Sequence, residues 1–153
     1  MKKGDRIEAL ARELAAGDED DIYFRGYFLL FNRQEYYQAH DLLEHIWLQT
    51  EGPEAAFFKG LIQLAGAFVH LQKQFRRPLH PTDGRRLHPA WRLFKLAKKN
   101  LKPFPSDYLG LKVDQILGLC DTQIAALEQS HFRTNPWHPD SAPKLTTPVG
   151  RSC

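Results

Sequence analysis

The 153-residue chain is 42% apolar and 25% charged, an ordinary balance for a globular domain long enough to fold around its own core. Its two cysteines, Cys120 and Cys153, are too few for a disulfide framework, and no stretch approaches the ~20 apolar residues of a membrane span. Net charge is only +3, so neither a strongly basic nor a strongly acidic whole-chain surface is expected.

In chain order, Asp5 can cap a short first helix with Ile7, Leu10, Ala11 and Leu14 on one face and Gly17 as its terminator. The acidic run Asp18 to Asp21 suits the start of a second helix, Ile22 to Phe31, whose Tyr27, Phe28, Leu30 and Phe31 form an aromatic buried side. Asn32 followed by Glu35 fits a capping box, so a third helix is expected over 34–50. Gly52-Pro53 stops that helix and starts the next, 54–75, which is apolar over more than half its circumference and so central. Its remaining stripe, Gly60, Gln63, Ala67, His70 and Gln74, is small and polar. Pro78, Pro81 and Gly84 break the chain into a loop over 76–88. Pro89 opens a helix with Trp91, Phe94, Ala97 and Leu101 inward, and a last helix is expected from about Leu111 to Glu128. After residue 130 periodicity fades into Pro, Ser, Thr and Asn, which predicts a loosely ordered tail over 131–153. The sum is one all-α domain, residues 1–130, of about five helices around an antiparallel pair, 34–50 and 54–75. No alternating strand pattern, signal peptide or phosphate-cradling glycine motif is read, and a reducing cytoplasm is the expected compartment.

The third helix carries the densest chemistry. Helical spacing puts Tyr36, His40, Leu43, Glu44 and Trp47 on one face, with Asp41 and His45 beside it. An imidazole and a carboxylate among aromatics need partners or a task. If the Gly60, Gln63, Ala67, His70 stripe packs on this face, His40, Glu44 and His70 become candidate ligands of a divalent metal, two imidazoles and a carboxylate with a position left open. His40 and Glu44 are then the candidate catalytic pair acting on a bound water, and Asp41, Gln63, Tyr36 and Trp47 the candidate ligand-binding residues. The alternative is structural: His40 and Glu44 bond each other, a neighbouring tyrosine and the Trp47 indole, locking the helix crossing. The spacing matches neither H-E-x-x-H nor H-x-x-E-H, and no Glu-x-x-His pair marks a di-iron bundle.

The residues Phe31-Asn32, Tyr36-Tyr37-x-Ala39-His40-Asp41-x-Leu43-Glu44-x-x-Trp47 and Phe58-Lys59-Gly60-Leu61-Ile62-Gln63-Leu64-Ala65 resemble the domain of unknown function 309 family. The resemblance covers about residues 20–128 and implies a compact all-helical fold; it implies no activity. Asp41 stands where the family pattern has Glu, and the long basic loop replaces a short Gly-Asn turn.

A second surface competes for the function. Residues 73–102 hold ten basic side chains against one acid, Asp83, out of 21 basic and 18 acidic in the chain. Arg76, Arg77, Arg85 and Arg86 in the loop and Lys95, Lys98 and Lys99 on the helix make a basic face. It suits nucleic acid or an acidic protein partner, a second copy of the chain included; the bland alternative is a solvated helix face. Pairing through an exposed aromatic such as Trp137 is a third reading.

Overall fold

The computed structural model describes residues 3–14 and 18–148; the expected cap Gly17 and the thiol of Cys153 lie outside these. The described residues form six α-helices: α1 Lys3–Leu14, α2 Glu19–Asn32, α3 Tyr36–Trp47, α4 Glu54–Arg76, α5 Leu87–Leu101 and α6 Val113–Gln129. The fold is all-α, and none of these helices is long and apolar enough to cross a membrane.

The acidic run sets where α2 begins. Asp18 is its N-cap, accepting the amide of Asp21 at 2.7 Å, and the acids following it occupy the first turn, three residues earlier than periodicity alone places the start. The expected capping box does not form. Asn32 is the last residue of α2, and Gln34 turns left-handed at φ 63° while its amide donates to Phe31 and that of Glu35 to Leu30, the paired bonds of a Schellman ending. Helix α3 therefore starts at Tyr36, and the Asn32 side chain is free for another partner.

Helix α4 lies between α3 and α5 and uses different sides for each. Its aromatic side faces α2 and α3: Phe68 is edge-on to Phe31 at 5.3 Å and stacked on Tyr36 at 5.3 Å. On the small-residue stripe, a Cβ on Gly60 would stand 2.7 Å from Leu101 Cγ, so only glycine lets α5 settle this closely. Tyr27, Phe28, Phe31, Tyr36, Phe57, Phe68 and Phe94 are fully enclosed, and the buried Tyr27 hydroxyl donates to the Leu61 carbonyl at 2.6 Å. Cys120 is buried on α6, where desolvation pushes its thiol up to about 12 and leaves it a packing group.

Two elements depart from the sequence reading. Between α5 and α6, Asp107–Tyr108 (β1) pairs antiparallel with Leu111–Lys112 (β2). Leu109 and Gly110, at φ 52° and 79°, make the doubly left-handed turn that matches strand twist. The pairing is too short to leave an alternating pattern; Tyr108 anchors it, its ring 4.7 Å from Phe57 and its hydroxyl donating to Glu54. The segment after α6, expected as a loose tail, is seated on the helices over residues 135–145, with Trp137 and Leu145 buried.

Candidate functional site

The candidate residues separate into two places. On α3, Tyr36 and Leu43 face the core, whereas His40 and Glu44 lie on the solvent rim, their side chains 32% and 41% exposed. His40 Nδ1 is 3.6 Å from Glu44 Oε2, and its ring lies over exposed Tyr37 at 6.2 Å. Trp47 is half-buried against the core and Asp41 half-buried beside the rim. The Tyr36 hydroxyl accepts the indole N–H of Trp137 at 3.0 Å, so this side chain belongs to the packing of the C-terminal segment.

Gln63 and His70 are turned to α5 and the loop before it. Gln63 accepts from Asn100 at 2.7 Å, and His70 Nδ1 meets the Arg86 guanidinium at 3.0 Å. The expected convergence of His40, Glu44, Gln63 and His70 does not occur, because the Gly60 stripe that carries the last two is the seat of α5 and not of α3. Among the described residues no group of three or more His, Cys, Asp or Glu side chains is placed to hold a metal ion.

His70 belongs instead to a network that pins the loop. Arg86 bonds Asp83 through Nε at 2.9 Å and a terminal nitrogen at 2.6 Å, its backbone amide donates to Gln74, and Arg77 reaches the same carboxylate at 3.3 Å. The hydrogen bonds from Arg86 hold Asp83 below the usual carboxylate range. Two arginines of the expected basic surface are thus spent on its one acid, and Arg76 and Arg85 remain exposed. Burial, with Arg86, Lys73 and Arg92 adding repulsion, pulls His70 down to about 4.

That shift has a stability consequence. Below pH ~6.5 the unfolded chain takes up a proton that the folded imidazole refuses until about pH 4, so stability falls as pH falls through this window. Allowing for partial exposure, on the order of 1–2 kcal/mol is lost through this group. In His70→Asn, whose amide oxygen can still accept from Arg86, urea midpoints at pH 7 and 4.5 should lie closer together than in the wild type. An equal separation would contradict the assignment.

The second place is the α5 lysine stripe. Lys95, Lys98, Lys99 and Lys102 share one side of a groove of about 360 Å³, with Asp121 and Ile124 of α6 opposite. Lys98 is paired with Asp121 at 2.6 Å, leaving the other three lysines as the groove's surplus charge. At the head of the stripe Lys95 lies 4.1 Å over the Trp91 ring, Trp91 donates to Glu128, and His88 stacks on Phe132 at 3.8 Å. Sequence spacing gave the lysines; Asp121 and Ile124, distant in sequence, carry no signal that would have put them opposite. A smaller cavity, about 190 Å³, opens where Asp18, Asp21 and Glu54 surround Phe24 and Phe58, and Arg25 closes it by pairing with Asp21 and the Leu14 carbonyl.

No curated protein and no solved structure matches the chain. Residues 24–79, from α2 through α4, match the family model described as Domain of unknown function (DUF309), a shorter stretch than the 20–128 over which the sequence resembles that family.

Proposed function

We propose that the chain is a binding module that takes a single strand of nucleic acid along α5, and that it works in the cytoplasm. The observation that carries the reading is the alignment of Lys95, Lys98, Lys99 and Lys102 on one groove. Ammonium groups about one turn apart offer point charges to successive phosphates without reading sequence. Trp91, His88 and Phe132 at one end supply the flat faces on which bases stack, a feature an acidic peptide would not use. The groove lies outside the residues that match the family model.

Titrating a labelled single-stranded RNA of about ten nucleotides with the protein, with polyglutamate as competitor, tests the reading. Binding that weakens steeply with salt and resists polyglutamate supports it. Displacement by polyglutamate at equal charge would assign the groove to an acidic protein instead, and the absence of binding at low salt would remove the proposal.

A further inference from the structure

Residues 133–148 leave α6 through a second Schellman ending, in which His131 donates to Glu128 and Phe132 to Leu127 with both residues left-handed, at φ 52° and 59°. Two adjacent non-glycine residues in that region are uncommon. The segment then crosses the ends of α2, α3 and α4. Apart from a single 3₁₀ turn, Pro139–Ser141, it has no regular structure of its own, so what it rests on holds its path.

That hold has two parts. Side-chain amides at the junction of α2 and α3 take the main chain: Asn32 donates to the Leu145 carbonyl at 2.8 Å and accepts the Leu145 amide at 2.7 Å, and Gln34 donates to the Pro139 carbonyl at 2.8 Å. In return Asn135 donates to the Leu71 carbonyl at 2.8 Å. Two side chains are enclosed: Trp137, 4% exposed, bonds the Tyr36 hydroxyl and packs edge-on to Phe75 at 5.4 Å, and Leu145 is 7% exposed. Phase-fixing side-chain amides for the backbone and separate pockets for anchor residues are how receptors hold an extended peptide. Asn32, Gln34 and Tyr36 lie within the stretch that matches the family model, whereas the strap they hold does not.

We infer that Asn32, Gln34, Tyr36 and Phe75 form a docking groove for an extended peptide with a tryptophan and, eight residues on, a leucine. The chain's own residues 133–148 fill it in cis, and a protein partner presenting the same two anchors displaces them. Tethering gives the strap a high effective concentration, so the wild-type groove is closed to weak competitors.

The test uses the full chain and a fluorescein-labelled peptide of residues 131–148, followed by polarisation. Trp137→Ala in the protein should loosen the strap and let the peptide bind at least about tenfold more tightly than to the wild type. The gain should vanish when the peptide itself carries Trp137→Ala. A Trp137→Ala chain with wild-type helicity that binds the peptide no better than the wild type overturns the inference. Hydrogen exchange on the wild type decides independently of any variant. The amides of Trp137 and Leu145, bonded to Asn135 and Asn32, should exchange at least about tenfold faster than those of Leu64 and Phe68 in α4. Exchange at the α4 rate would mean the strap opens only with the whole fold, and the inference fails.

Discussion

Phe68→Ala should lower the stability of the fold by about 3–5 kcal/mol, the range for removing a large aromatic from a core that cannot collapse around the gap. Phe68 is fully buried on α4, and its ring touches three other helices: edge-on to Phe31 of α2 at 5.3 Å, stacked on Tyr36 of α3 at 5.3 Å and edge-on to Phe94 of α5 at 5.2 Å. Phe31 also lies against Tyr27 and against Tyr36, so neither Phe31 nor Tyr36 can swing into the space. For a domain whose total stability is typically about 5–15 kcal/mol, this is a fall of roughly 10 °C in melting temperature. Thermal unfolding followed by circular dichroism measures it. A drop of only a degree or two would mean that α4 is not the hub of the core.

The second large effect concerns binding. Replacing Lys95, Lys99 and Lys102 together by Ala should weaken association with single-stranded RNA roughly a hundredfold at low salt, on about 1 kcal/mol per lost phosphate contact. The slope of log affinity against log salt should shrink by about 2, since each contact to a single strand contributes about 0.7. Lys98 is left in place because its ammonium is bonded to Asp121, an interaction that raises its pKa and helps α5 face α6. Lys95, Lys99 and Lys102 are exposed, so the triple variant should melt within a few degrees of the wild type. Unchanged affinity in the folded variant would show that the stripe is a solvated helix face and nothing more.

The sequence carried the helices well and the contacts between them poorly, for identifiable reasons. Periodicity and breakers place α4 at 54–75 against the observed Glu54–Arg76, because apolar burial and Gly52-Pro53 act locally. The same stripe that gave Gly60, Gln63 and His70 did not say which neighbour it would meet. Two small residues, Gly60 on α4 and Ala97 on α5, decide it by letting those helices approach closely. Asn32 misled in a similar way: as a sequence pattern it is a helix cap, but its amide is matched to Leu145, 113 positions away. Trp137 sits in a Pro- and Asn-rich stretch that looks unstructured, and its order comes from Tyr36 and Phe75. The lysine stripe was legible because all its members share one helix; the loop arginines were not separable from it, because nothing local shows that Asp83 takes both Arg77 and Arg86.

Backbone amide chemical shifts of the full chain on addition of single-stranded RNA show directly whether the proposed site lies along α5. Shifts should gather on residues 88–102 of α5 and on 121–132, from α6 into the turn that carries Phe132, and leave the His40–Glu44 rim of α3 unmoved. Shifts concentrated on that rim, with α5 silent, would contradict a site on α5 and place binding on the face of α3.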